Sequence, residues 1–146
     1  MRNRLMWTVT VLSAVTISTI GLLASHAAGQ APATPAGWIL GDDADTKKNP
    51  LAADAATLAA GKAIYKDKCM DCHGPAGAGD GPDADPEARV DMDLTNAKRA
   101  DRNPDGVVYY KVLNGRRRPK MPAFKGELTE QQIWSVVTYA QSLRKK

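Results

Sequence analysis

Apolar residues recur at helical spacing in three stretches of this 146-residue chain. Between 54 and 66, Leu58, Gly61 and Tyr65, joined by Ile64, fall three and four positions apart and line one face. Asp54 is a suitable N-cap, so the pattern predicts a helix over 54–66. Gly61 in its interior costs about 1 kcal/mol against alanine, which predicts a close-packing reason for it. A second helix is predicted over 104–113, with Asn103 as its cap, Pro104 in the first turn, Gly115 as the stop, and Val108, Val112 and Tyr109 on the apolar side. The last helix carries the fullest set of signals. Thr129 caps it, Gln132 completes a capping box, Leu128 can staple to Ile133, and Ile133, Val136, Val137, Ala140 and Leu143 form a stripe. Residues 74–86 are rich in Gly, Pro and Asp and read as loop, with no apolar repeat through 91. A further loop spans 115–128 and contains Met121-Pro122. No strand pattern and no internal repeat is found. The expected fold is all-α, three to four helices joined by long loops.

The N-terminus is different in kind. Arg2 and Arg4 precede an uncharged apolar stretch over 5–23, and Ser25-His26-Ala27 fits a small-x-small cleavage site before Ala28. Residues 1–27 read as an export signal. The stretch of 19 residues exceeds the ~7–15 of a signal core and nears the ~20 that span a bilayer, so two readings stand: removal, or retention as a membrane anchor through 5–23. Both put the rest of the chain outside the cytoplasm, in a periplasmic or equivalent space. Residues 28–50 read as a flexible linker and strap, with Trp38-Ile39-Leu40 as a short apolar patch before Asp42, Asp43 and Asp45. A single domain is expected over 51–146.

Composition adds a constraint. Apolar residues make up 43% of the chain, but only one is Phe. A domain of this size with few large apolar side chains buries a modest core, which suggests that something else fills the interior. The formal charge of +4 becomes about +2 without Arg2 and Arg4. Its distribution is polarised: 80–93 carries a net −5 and 98–120 a net +6.

The candidate chemistry lies in Cys69-Met70-Asp71-Cys72-His73, a C-x-x-C-H sequence of the kind that attaches c-type haem. Residues three apart on a helical turn face the same way, so both thiols can reach the two vinyl groups on one porphyrin edge. His73, next in line, can then offer its imidazole to the iron. Three rival readings are weaker. A redox-active dithiol needs a βαβ setting that the pattern does not supply. A zinc site needs two more ligands, and the remaining His is His26, within the signal. An inert disulfide would close too short a loop to add much stability. One C-x-x-C-H implies one haem and one iron.

With these residues in view, the chain resembles the class I, mono-haem c-type cytochromes over roughly 51–143. Gly61-Lys62-Ala63-Ile64-Tyr65 followed by Cys69-x-x-Cys72-His73-Gly74 is similar to that family's first helix and haem site. Lys120-Met121-Pro122-Ala123-Phe124 is similar to its distal ligand loop, and 128–143 to its last helix. The resemblance implies a cytochrome c-like fold around one haem, in which the first and last helices cross at Gly61 with Tyr65 and Tyr139 packing nearby. It implies Cys69 and Cys72 as the haem thioethers, His73 as the proximal iron ligand and Met121 as the distal one. The residues agree with the last assignment. A thioether is a soft ligand that raises the reduction potential, and the 48 positions from His73 let the chain travel round a haem edge. Met121 as a core gap-filler is the alternative, and Met92 is a weaker ligand candidate in an acidic stretch. One departure stands out. Related sequences often place a Pro just before the Leu whose neighbourhood supports the proximal His. Here the stretch is Asp91-Met92-Asp93-Leu94-Thr95, which leaves the acceptor for the His73 N–H unassigned.

Arg116, Arg117, Arg118 and Lys120 directly precede Met121 and read either as a solvated loop or as a docking patch for acidic redox partner proteins. Aromatics do not interleave with these charges, so nucleic acid is not expected as a partner. Trp38 and Trp134 read as packing. The function these features imply is one-electron transfer by a carrier, not an enzyme. The rivals are a membrane-anchored cytochrome subunit of a respiratory or dehydrogenase complex, and a sensor or enzyme with five-coordinate iron. The partners and the reduction potential leave no mark in the sequence.

Overall fold

The computed structural model describes residues 37–144. The export signal, the membrane-anchor reading and the first part of the linker lie outside the described residues. Five α-helices follow in order: α1 (Ala55–Lys68), α2 (Met70–His73), α3 (Arg89–Met92), α4 (Asp105–Asn114) and α5 (Glu130–Ser142). Isolated single-pair bridges stand in place of strands among the described residues. The all-α expectation holds, with α2 and α3 as additional single turns. α3 and the 3-10 turn Pro86–Ala88 before it break the stretch read as loop. The 3-10 turn starts from local capping rather than an apolar repeat, since the Asp85 side chain accepts from the Glu87 N–H at 3.0 Å, and α3 follows it without a side-chain cap.

The three long helices form for the reasons their sequences suggest. The Asp54 side chain accepts from the Thr57 N–H at 2.8 Å and starts α1, which runs two residues beyond the predicted end. At α5, Gln132 N–H donates to Thr129 Oγ1 at 3.3 Å and Thr129 N–H donates to Gln132 Oε1 at 2.8 Å, a complete capping box. α4 differs at its start. Pro104, not Asn103, is the N-cap, and the Asn103 side chain instead donates to the Arg99 carbonyl at 2.8 Å.

α1 and α5 cross at Gly61. A Cβ there would sit 2.1 Å from the Ser135 carbonyl oxygen, so only a hydrogen lets the two backbones approach. Tyr65 and Tyr139 flank the crossing with ring centroids 5.2 Å apart. The core gathers Ile133, Val136 and Val137 of α5 with Val112 of α4 and the lone Phe124. Trp134 is 2% exposed and stacks on Tyr109 at 4.3 Å, the packing role expected of it.

Residues 37–49 lie against the helices. Asn49 donates to the Thr138 hydroxyl at 2.8 Å, Tyr110 donates to Asp43 at 2.6 Å, and Asn114 donates to the Ile39 carbonyl at 2.8 Å. No helix among the described residues is long and apolar enough to cross a membrane.

Candidate haem site

α1 ends by handing its last turn to α2. Cys69 N–H donates to the Tyr65 carbonyl at 2.9 Å, and the N–H groups of Cys72 and His73 both donate back to the Cys69 carbonyl, at 3.3 and 2.9 Å. The C-x-x-C-H sequence is thus wound into one turn. Cys69 and Cys72 are not joined to each other. Burial pushes the Cys69 thiol up to about 12. The Cys72 thiol is pushed up as well, and both shifts are opposite to the lowered pKa of a redox-active dithiol. Among the described residues no cluster of three or more His, Cys, Asp and Glu side chains is gathered for a bare metal ion.

The missing support for His73 is the Met92 carbonyl, 2.7 Å from Nδ1. A carbonyl only accepts, so Nδ1 carries the proton and Nε2 is the nitrogen available to a metal. Burial lowers the His73 pKa, and the Met92 bond offsets this only in part. The ring is therefore neutral, the form that ligates. Met92 stands beside His73, and it is the Met92 backbone that meets the imidazole. The segment reaches this position because Leu94 N–H donates to the Gly77 carbonyl at 2.7 Å and Ala78 bridges Asp93.

Cys69, Cys72, His73 and Met121 line one cavity. Met121 is delivered by the loop after α4. Arg116 and Met121 exchange both backbone bonds, Arg116 N–H to Met121 O at 3.0 Å and Met121 N–H to Arg116 O at 2.9 Å. Gly115, at φ +60, makes the entry, where a Cβ would lie 2.4 Å from the Met121 carbonyl oxygen. Leu94, Val108, Val112, Phe124 and Val136 supply apolar wall. Two thiols, one neutral imidazole and one thioether sulfur on an apolar cavity form a donor set that fits a covalently held haem.

The same cavity has a cationic side, of which the sequence pointed only to the cluster that contains Arg116. Arg99, Lys111, Arg116 and Arg144 reach it from four places in the chain, with Asn103 and Gln141 between them. Lys111 and Arg144 both donate to Asn103, to its side-chain oxygen and its carbonyl respectively. Desolvation, aided by Arg99 and Arg116, pushes the Lys111 ammonium down to about 8. Trp38 also lines the cavity, its ring centroid 5.0 Å from Lys111 Nζ and 4.5 Å from Arg116 Cζ.

The basic run before Met121 separates into two kinds. Arg117, Arg118 and Lys120 are exposed. Arg116 is not: its side chain is 11% exposed, and Nε donates to the Pro119 carbonyl at 3.0 Å. Neighbouring charges look alike in sequence, and only the turn between 116 and 121 assigns one of them inward.

Comparison with known proteins agrees with this architecture. The family described as cytochrome C oxidase, cbb3-type, subunit III matches residues 56–139. Among solved structures, the chain is similar to a component of the reducing HAO-like protein complex Kustc0457/Kustc0458 of Kuenenia stuttgartiensis, at 30% identity and a TM-score of 0.53. That match covers 66% of this chain but 47% of the other, so this chain spans about half the length of that relative. It is also similar to the KustC0563 c-type cytochrome, at 24% identity and a TM-score of 0.46 over 58% of this chain and 98% of that one. No significant match is found among curated proteins. The family match takes in nearly all of α1, the C-x-x-C-H turn, the loop that carries Met121 and most of α5, more than half of the chain. By that match the chain belongs to the cbb3-type cytochrome c oxidase subunit III family, and it is a c-type cytochrome, a haem-binding protein of electron transfer.

Proposed function

We propose that this chain carries one haem c, bound through Cys69 and Cys72 and ligated by His73 and Met121, and that it passes single electrons outside the cytoplasm. The observation that carries the reading is the gathering of all four side chains on one apolar cavity. The haem supplies an iron that cycles between ferric and ferrous. The protein's part is to hold the site still. The Met92 carbonyl fixes the imidazole, the Arg116–Met121 backbone pair fixes the main chain that carries the sulfur, and the apolar wall excludes water. Arg99, Lys111 and Arg144 are the cations available to the carboxylates of the haem. Arg117, Arg118 and Lys120 are the exposed charges available to an acidic redox partner.

Visible spectra of the purified holoprotein and of Met121→Ala test the ligand set. The expected wild type is low-spin in both oxidation states, with the weak far-red band of methionine sulfur on ferric iron, and the variant lacks that band. A high-spin wild type that binds carbon monoxide readily, matched by an identical variant, overturns it in favour of an open iron.

A second reading is favoured by one comparison. The relative in the HAO-like assembly is part of a complex, which supports a cytochrome subunit working beside an enzyme. The native mass of the protein isolated from its source distinguishes the two, since a free carrier elutes alone and a subunit elutes with its complex.

A further inference from the structure

Arg116 is tied to the distal loop at three points. Its N–H and its carbonyl both bond Met121, and its Nε donates to the Pro119 carbonyl within the same turn. The guanidinium then reaches outward in two directions. Cζ lies 4.5 Å from the centroid of Trp38, and one terminal nitrogen lies 3.7 Å from the Asp91 carboxylate. Asp91 immediately precedes Met92, whose carbonyl receives His73, and Arg99 holds that carboxylate at 2.9 Å from its other side. Trp38 comes from 18 positions before the start of the segment that the family match covers. The bond from Asn114 to the Ile39 carbonyl fixes the backbone beside it.

We propose that Arg116 is the positioning residue for the distal ligand, and that Trp38, contributed from outside the matched family segment, is the brace that keeps Arg116 in place. The proposal rests on the reading of Met121 as an iron ligand. A ligand carried on a loop is present only for the fraction of time the loop is closed, so whatever holds the loop sets how often the sixth position opens. The turn from Gly115 to Met121 contains no helix and meets water at Arg117, Arg118 and Lys120. Arg116 is its inward-facing cation, and the planar fork of a guanidinium can serve the Pro119 carbonyl, the indole face and Asp91 together. Lysine, a point charge, cannot. Through Asp91 the same side chain also touches the segment that orients His73, so the supports of the two ligands share one residue.

Four variants of the holoprotein test this: Arg116→Leu, Arg116→Lys, Trp38→Leu and Trp38→Phe. Two rates are read, amide exchange at Met121, whose N–H bonds the Arg116 carbonyl, and cyanide binding to the ferric iron. Exchange at Val137 in α5 serves as the global reference. Loss of one cation–π contact raises the open fraction about fivefold. The expected result is a rise of at least that size in both rates for Arg116→Leu and Trp38→Leu, with Val137 unchanged. Trp38→Phe, which keeps an aromatic face, stays near wild type, and Arg116→Lys falls between. Unchanged rates in both leucine variants overturn the proposal, and so does a rise that Val137 shares, because that is general loosening. A wild type without the far-red band overturns the assignment of Met121 itself, a different failure from either of these.

Discussion

The hydrogen bond between Tyr110 and Asp43 shows how one contact can be given a pH range. The phenol donates to the carboxylate at 2.6 Å, which pushes Tyr110 up to about 12 and holds Asp43 below its usual value. Each shift favours the partner state present in the bond, the neutral phenol and the ionised carboxylate. For Tyr110, the folded pKa is raised, so its contribution is complete below about 10 and is lost as pH rises towards 12. For Asp43, the folded pKa is lowered, so its contribution is present above 3.8 and is lost as pH falls beneath it. Both groups are close to solvent, so the effect on overall stability is small and the effect on residues 37–49 is the one to measure. Amide protection in that segment, taken relative to the base-catalysed intrinsic rate, is expected to fall between pH 10 and 12 in the wild type. In Tyr110→Phe the protection is lower already at neutral pH and shows no such step. A step that survives in the variant assigns the transition to another group.

At the scale of elements, the crossing of α1 and α5 gives the plainest test of packing. Gly61→Ala should gain about 1 kcal/mol from helix propensity if nothing stood in the way. The new methyl would meet the Ser135 carbonyl at 2.1 Å and the Tyr139 Cβ at 2.9 Å, both fixed by α5. Overpacking of this kind costs about 1–3 kcal/mol, so the clash wins and the melting temperature falls. A melting temperature at or above wild type shows that the helices part without penalty. Ile133→Ala, by contrast, empties a site 1% exposed and should cost about 2–5 kcal/mol in denaturant unfolding.

Gly61 also marks what can be read without a structure. A glycine inside a helix is an exception to local preference, and exceptions point to tertiary causes. The C-x-x-C-H turn was legible because attachment chemistry demands fixed residue types at fixed spacing. The Met92 acceptor was not, because a backbone carbonyl has no residue type, and the proline that often marks the place is missing here. Trp38 and Arg144 were equally hidden as parts of the site. They meet Lys111 and Asn103 only after 37–49 and α5 have docked, and no local pattern encodes that meeting.

For the whole molecule, the division of charge matters more than its sum. The net +6 between 98 and 120 is partly folded inward, at Arg99, Lys111 and Arg116, and partly displayed, at Arg117, Arg118 and Lys120. The displayed charges lie in the loop that carries Met121 and should steer an approaching anion. Replacing all three by glutamate is expected to slow oxidation of the ferrous protein by ferricyanide about 10- to 100-fold at low salt. The difference should shrink as ionic strength rises, and a cationic cobalt oxidant should respond in the opposite sense. Equal effects on both oxidants, measured by stopped flow, assign the change to the iron site rather than to its approach.

The chain that leaves His73 also returns to it. Between Gly74 and Met92 it runs out through exposed Pro82, Asp83, Asp85 and Glu87, and comes back to place a carbonyl against the same imidazole. Its two ends are pinned to each other by the Ala78–Asp93 bridge and the bond from Leu94 to Gly77. Lengthening a loop whose ends are already held together is cheap, about 0.6 kcal/mol for each doubling. Inserted residues near Asp85 should therefore leave the imidazole where it is. The outer part of this loop is a place where descendants of the sequence, or a designer, can add chain and keep the support of His73 intact.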